Sequence, residues 1–503
     1  MPLKPGTGGA GSGSVGAQDV LVLAAATILP WFWGGVGQGA SRGAAAVIAM
    51  AAAWVLIRRG PSGLGFGRGI VWLLPAFLLG AFAFLQCVPL PRSWVAAVSP
   101  KAAAIQTATF GRDVPTGEAW LRQIENDARA LTPEAADAPA NPAGAIKLGA
   151  DAPSPPARFT VSLQPGATLE RAYWYAALLL AFLVVLRRAE SERRASVYRT
   201  TLFVSFGLLA TVGTFSHLTA PTRLLWLRDA PLMARPFGPY VNPSHFAGVM
   251  ELAVPWLLGF GLVATGRRDR TWVKRAGRGL ALAGAGICAA AALLSASKMG
   301  AITIGVSSAL LVGIAFVKGQ GRNRATLLAG SALVVAGLGA VALLGPLRER
   351  VAAFTAVHSG VGAPNVRGLV WSAGVRMGSD YPVTGSGFGA FAELFPAYLP
   401  RGESEVWIQM HNDYIELFLA GGLVAAVLAA WLAAVFSLRA ARVLRAVRGN
   451  DRFLPALGLA FGLVAIAVHE GVDFNLQVPA NALLFVVIAA MCVAPHARSV
   501  EAP

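Results

Sequence analysis

The sequence predicts an all-α polytopic membrane protein with about twelve transmembrane helices and two long extracytoplasmic loops. Three observations predict it. Of 503 residues, 55% are hydrophobic and only 13% are charged, whereas a soluble protein carries roughly 25% charged residues. Several continuous apolar runs reach the ~18 residues or more that cross about 30 Å of hydrocarbon. Arg- and Lys-rich segments follow every second run, the spacing expected when alternate loops stay in the cytoplasm. The runs are read as helices because backbone in hydrocarbon must satisfy its own hydrogen bonds; a barrel would need alternating patterns that they lack.

The elements follow in order. Residues 1–18, "MPLKPGTGGAGSGSVGAQ", form a flexible Gly/Ser-rich cytoplasmic tail. It leads into a retained first helix rather than a cleaved signal peptide, because it is long and weakly basic. Helices 1–3 occupy 19–88, as runs near 19–36, 43–58 and 69–88. The loop at 89–169 has a Pro/Ala-rich centre with few large apolar side chains, the composition of a poorly ordered insertion. Its flanks, "CVPLPRSWVAAVSP" and "FTVSLQPGATLERAYW", are richer in apolar residues, and the second has the composition of a short strand pair. Helices 4–9 occupy 170–345, near 170–187, 201–218, 243–265, 278–296, 299–317 and 325–345. A second extracytoplasmic loop, 346–412, carries the densest set of candidate catalytic residues. Helices 10–12 occupy 413–495, near 413–437, 453–469 and 477–495, and a cytoplasmic tail closes the chain at 496–503.

Charge sets the sides. "RRGPSGLGFGRG", "RRAESERRASVYR", "GRRDRTWVKRAGR", "KGQGRNR" and "LRAARVLRAVRGNDR" fall after every second span and are assigned to the cytoplasm. They account for the excess of 42 Lys+Arg over 25 Asp+Glu, so the basic balance gives no reason to expect a nucleic-acid partner. Cys87, Cys288 and Cys492 lie in apolar segments without metal or disulfide spacing. The polar clusters all fall on the opposite, extracytoplasmic face.

Four clusters stand out there. "RPFGPYVNPSHFAG" contains Arg235 and Asn242, and "SASKMG" places Lys298 at a tight turn. "NVRGLVWSAGVRMGSD" reads as an amphipathic helix ending before Pro382, with Arg367 and Trp371 four apart on one face and Arg376 on another. "GSGFGAF" follows; its glycines permit tight turns and close backbone approach to a ligand, but no strand precedes it, so it is not a dinucleotide fingerprint. His411, Asn412 and Tyr414 then stand at the head of a long apolar run, and "HEGVDFNLQVPAN" closes the set.

Plainer roles compete at each position. Arg235 and Lys298 have the placement of headgroup anchors, and Asn412 or Asp413 that of a helix cap. His469, Glu470 and Asp473 have the composition of an interhelical polar network.

Outside the cytoplasmic membrane no nucleotide sugar is at hand, so a transfer reaction there needs a substrate activated beforehand. A glycan on a lipid diphosphate meets that need. It calls for cations to hold the diphosphate, for which Arg has a fixed, permanently charged fork, and for a base such as His to take a proton from the acceptor hydroxyl. No metal or other cofactor is expected, since no cluster of His or carboxylate ligands stands on that face.

"RPFGPYVNPSHFAG", "LLSASKMGA", "VRGLVWSAGVRMGSDYPVTGSGFGAFAELFPAYLP", "HNDYIELFLAGGLVA" and "VDFNLQVPAN" together resemble the O-antigen ligase and polymerase superfamily over roughly 200–490. The resemblance implies a GT-C-like membrane glycosyltransferase that moves a glycan from undecaprenyl diphosphate to an acceptor hydroxyl, without a metal and with inversion. The acceptor would be lipid A–core, a growing polysaccharide or a protein. It implies that Arg367 contacts the diphosphate, that His411 is the base, and that the enzyme sits in the bacterial inner membrane with its site facing the periplasm. Arg235, Asn242, Lys298, Trp371, Arg376, Asn412 and Tyr414 are the expected diphosphate- or glycan-binding residues. Two positions depart from the family: Lys298 stands where Arg is usual, and the usual Asn-x-Asn is Asn242-Pro243-Ser244. The motifs do not separate a ligase from a polymerase. A transporter is the reading from another class; it calls for an internal repeat and polar mid-membrane positions, and the polar residues here gather on one face.

Overall fold

The computed structural model describes residues 15–64, 68–110, 156–231, 234–263, 272–318, 366–399, 407–447 and 450–494. The expected ninth span at 325–345, the centre of the first loop at 111–155 and most of both tails lie outside the described residues.

The described chain is mostly helical. Its elements are α1 (Ala17–Ile28), α2 (Gln38–Arg59), α3 (Leu74–Leu85), β1 (Leu90–Pro91), α4 (Arg92–Val98), α5 (Pro100–Phe110), β2 (Arg158–Phe159), α6 (Pro165–Arg188) and α7 (Glu192–Thr219). They continue with β3 (Arg223–Leu224), β4 (Arg228–Asp229), α8 (Pro243–Gly261), α9 (Trp272–Leu294), α10 (Lys298–Val317) and α11 (Val366–Asp380). The last are α12 (Phe391–Leu394), α13 (Asp413–Ala446), α14 (Asn450–His469) and α15 (Pro479–Val493). Seven described helices are long and apolar enough to cross a membrane: α2, α6, α7, α9, α10, α13 and α14. Three shorter apolar helices lie at Ala17–Trp31, Val71–Leu85 and Pro479–Val493. The chain is thus a multi-pass helical membrane protein. The first expected span is helical only to Ile28; Pro30 and the positive φ of Gly34 (72°) turn the chain into two short 3-10 segments.

α8 is the central helix, with 16 of its 19 residues buried, and it packs against α9, α10 and α14. Small residues let it approach α14. A Cβ on Gly458 would lie 2.3 Å from the Pro255 carbonyl oxygen, and one on Gly259 would lie 2.4 Å from that of Leu454. Dispersion at such close backbone contact replaces the hydrophobic drive that helices lack in lipid. Gly458→Ala should therefore push α8 and α14 apart at a cost of about 1–3 kcal/mol. A wild-type melting curve for the purified variant in detergent would show that this contact is not tight.

The pieces of the two long loops form a small second core. α5 supplies Ala102; α11 supplies Val370, Ala373 and Met377; Tyr381, Phe391, Phe395, Met410 and Leu419 complete it. β1 and β2 pair antiparallel, Leu90 opposite Phe159, and so pin the flanks of the first loop together. Lys101 Nζ lies 3.3 Å from Asp380 Oδ2, across the contact of α5 with the end of α11. The ordered flank of the first loop thus braces the helix that carries Arg367.

The glycine-rich turn has a structural task. α13 is broken at Gly422 (φ 60°, ψ −157°). The turn fills the break: Ser386 N–H and Gly387 N–H donate to the Leu419 and Ala420 carbonyls at 2.9 and 3.0 Å, and Leu423 N–H donates to the Pro382 carbonyl at 2.9 Å. Gln86 Nε2 donates to the Thr384 and Ala420 carbonyls at 2.7 and 2.9 Å. Backbone freed inside an apolar helix must find such partners. Gly385 (φ 69°) allows the approach, since a Cβ there would stand 2.3 Å from Ala420 backbone atoms. The close backbone approach seen at this turn is to α13, where the sequence suggested a ligand.

Candidate active site

The start of α13 positions His411. Asn412 is the N-cap; its Oδ1 accepts from the N–H groups of Tyr414 (3.1 Å) and Ile415 (3.0 Å). Met410 N–H donates to Glu416 Oε2 at 2.7 Å. Between these two anchored residues His411 has φ 51°. A left-handed backbone on a residue with a Cβ costs roughly 1–2 kcal/mol, and here the flanking bonds hold it. Its ring stands edge-on to Phe474 (centroids 4.8 Å apart) and Trp407 (5.7 Å).

The turn between α14 and α15 is tied to the same point. Asn412 Nδ2 donates to the Gly471 carbonyl at 2.8 Å, Asp413 N–H to the Glu470 carbonyl at 3.0 Å, and Gln477 Nε2 to Asp413 Oδ1 at 2.8 Å. Tyr414 Oη donates to the Ala467 carbonyl at 2.5 Å. These bonds carry Asp473 to the imidazole.

Three histidines surround the Asp473 carboxylate. His411 Nδ1 lies 3.6 Å and His245 Nε2 3.5 Å from Oδ1, and His469 Nε2 lies 3.8 Å from Oδ2. These are charge contacts, longer than hydrogen bonds. His469 is anchored on its other side, Nδ1 to Glu251 Oε1 of α8 at 2.6 Å. His245, at the start of α8, has its carbonyl held by Asn481 Nδ2 at 2.8 Å, and Tyr240 Oη donates to Asn481 Oδ1 at 3.0 Å. The side chains of His245 and His469 are 8% and 2% exposed, and that of His411 is 26%. Of the three, only His411 is open enough to meet a substrate.

The electrostatics follow from burial. Burial alone raises the Asp473 carboxyl, but its contacts with His245 and His411 and the charges of His245 and His469 outweigh it. Asp473 is therefore held well below the usual carboxylate range and stays ionised near neutrality. Glu470 goes the other way: burial, then the neighbouring Asp413 carboxylate, push it far above that range. A raised carboxyl contributes stability fully below its unfolded value, about 4.3, and loses it as the pH rises toward the folded value. Glu470→Gln should therefore flatten the fall in melting temperature between about pH 5 and 8. An unchanged slope would mean that Glu470 is already ionised there.

The remaining expected site residues divide. Trp371 of α11 donates from Nε1 to the Met410 carbonyl at 3.3 Å, so the helix that carries Arg367 touches the residue before His411. The side chain of Arg367 lies outside the described residues. Arg376 Nη2 donates to the Tyr398 carbonyl at 2.9 Å and fastens α11 to the loop. Lys298 is exposed at the first turn of α10, two residues before Gly300, whose Cβ position is 3.2 Å from Glu251 Oε1. Asn242 caps α8 through Ser244 N–H at 2.9 Å, with its Nδ2 3.4 Å from His245 Nε2. Arg235 is exposed beside Pro236, whose carbonyl lies 3.3 Å from His217 Nδ1. Among the described residues no three His, Cys, Asp or Glu side chains are grouped to hold a metal ion.

Residues 283–430 match the family model for O-antigen ligase (Wzy_C). That match supports the O-antigen ligase and polymerase superfamily. It covers less than a third of the chain, and no curated protein matches. The O-antigen ligase segment contains Lys298, Arg367, Trp371, Arg376 and His411–Tyr414, whereas His245, Glu251 and Asp473 lie outside it. The sequence segments singled out above hold His245 and Asp473 but not Glu251, and nothing in them shows that Asp473 is where His245, His411 and His469 meet. The signal was the pair of polar clusters, "PSHFAG" and "HEGVDF", at the ends of apolar runs.

Proposed function

We propose that this chain is a membrane glycosyltransferase of the O-antigen ligase type. It transfers a glycan from an undecaprenyl-diphosphate carrier to an acceptor hydroxyl on the extracytoplasmic face of the bacterial inner membrane. The acceptor is lipid A–core, a polysaccharide or a protein. The observation that carries the reading is His411, partly open, set in a fixed left-handed backbone against the ionised Asp473.

In the proposed reaction His411, oriented by Asp473 at Nδ1, takes the acceptor proton on Nε2 as the hydroxyl oxygen attacks the anomeric carbon. The anomeric carbon–phosphate oxygen bond breaks, and its electron pair leaves with undecaprenyl diphosphate. Asp473 offsets the charge of the imidazolium so formed. Arg367 and Lys298 offset the leaving group's negative charge, a task that needs no metal. Attack from the face opposite the leaving group inverts the anomeric centre. Asn412 and Trp371 hold the His411 segment, Asn242 stands beside His245, and Tyr414 and Arg235 are the further candidate contacts for diphosphate or glycan, whereas Arg376 braces α11 against the loop.

Purified protein mixed with an undecaprenyl-diphosphate-linked oligosaccharide and candidate acceptors tests the proposal. Release of undecaprenyl diphosphate in step with acceptor glycosylation is the expected result. Movement of intact lipid-linked glycan across a vesicle membrane, with no release, would point to transport instead.

A further inference from the structure

A cavity of about 390 Å³ lies at the opposite end of α6 from the first loop, among the C-terminal ends of α2 and α6 and the start of α1. Arg58, Arg59, Arg187 and Arg188 line it, with Trp54 and Gln18. None of its lining residues is acidic. The charges are arranged in two layers. Arg188 is buried: its Nε donates to Asp19 Oδ1 at 2.7 Å, its Nη2 also bonds Asp19, and Tyr198 Oη donates to the same carboxylate at 3.1 Å. Arg187 pairs with Glu190 at 2.9 Å. Arg58 and Arg59 are exposed at the last turn of α2, and the Arg58 guanidinium lies over the Trp54 ring at 4.7 Å. Among the described residues the deeper pair, Arg187 and Arg188, is matched to Glu190 and Asp19, and Arg58 and Arg59 stand at the open side.

One face of the helix leading to that side is apolar and exposed among the described residues. Met50 (54% exposed), Trp54 (41%) and Ile57 (80%) recur at four- and three-residue spacing, a single stripe along α2 that ends at Arg58. A free anion has no use for such a stripe. A lipid does: its phosphate meets the arginines while an acyl chain lies along the stripe. Basic pockets between membrane helices suit anionic headgroups in this way.

The geometry points to a binding site for the phosphate headgroup of an anionic phospholipid at Arg58 and Arg59, at the far end of the bundle from the histidines. It needs neither the proposed transfer reaction nor its donor.

The test uses full-length protein, delipidated in detergent and titrated with phosphatidylglycerol, cardiolipin or phosphatidylcholine. Native mass spectrometry counts bound lipid, and melting curves report stabilisation. Wild type should prefer the anionic lipids by roughly tenfold. Arg58→Gln with Arg59→Gln should abolish the preference, and the double change to Lys should keep most of it. Both residues are exposed, so the variants should fold, which size exclusion and circular dichroism check. Equal binding of all three lipids by wild type, or a preference surviving in the Gln variant, overturns the site. Inorganic phosphate alone reproducing the full stabilisation overturns the assignment to lipid.

Discussion

His411→Gly abolishes transfer and leaves the protein at least as stable as His411→Ala. Both substitutions remove the proposed base, and loss of general-base catalysis costs roughly 10²- to 10⁴-fold in rate. They differ at the backbone. At φ 51° alanine keeps the steric penalty of a Cβ in the left-handed region, and glycine does not. Glycine gives back part of that gain through a freer unfolded chain, so the expected difference in stability is at most about 1 kcal/mol in its favour. Turnover assays and melting curves on the pair separate chemistry from folding. A glycine variant with wild-type turnover removes His411 from the mechanism. One that melts well below the alanine variant means that the backbone strain is misread.

Asp473→Asn tests the other half of the site. Asparagine keeps the shape and removes the charge that faces three histidines. Losing a charge-assisted contact costs about 1.5–3 kcal/mol, which in the transition state is roughly a 10- to 100-fold fall in kcat. KM should change little, because Asp473 is buried and its proposed role is to position and charge-balance the proposed base His411. The pH dependence has a definite sign. A depressed carboxyl contributes stability fully above its unfolded value, about 3.9, and loses it only as the pH falls toward the lower folded value. The carboxylate's own titration should therefore close the stability gap between wild type and variant in acid, as the pH falls below about 4. A rise in KM with kcat intact would make Asp473 a substrate contact instead.

Much of this site could be read along the chain, for a physical reason. His411, Asn412 and the helix from Asp413 are neighbours in sequence, so a polar group at the head of an apolar run marks a membrane-edge site directly. The cap on Asn412 is local as well: an amide that accepts from N–H groups two and three residues on. Arg376 and the glycine-rich turn show the limit of that reading. Their residue types suit a ligand, but the Tyr398 carbonyl and the break at Gly422 already engage them. Charge and flexibility are properties of a residue. What satisfies them depends on the segment that packs alongside.

From the sequence by itself came the helical membrane class, the charged and apolar alternation along the chain, and the segment bearing Lys298, Arg367 and His411. Each is a sum over adjacent residues, which hydration and backbone hydrogen bonding decide locally. Only the tertiary structure decided that Asp473 is the meeting point of His245, His411 and His469, and that His411 alone of the three stands open. Those contacts join α8, α13 and the turn after α14, and depend on the glycine-lined approach of α8 to α14. Helices with interchangeable apolar faces do not announce their partners; close packing selects them.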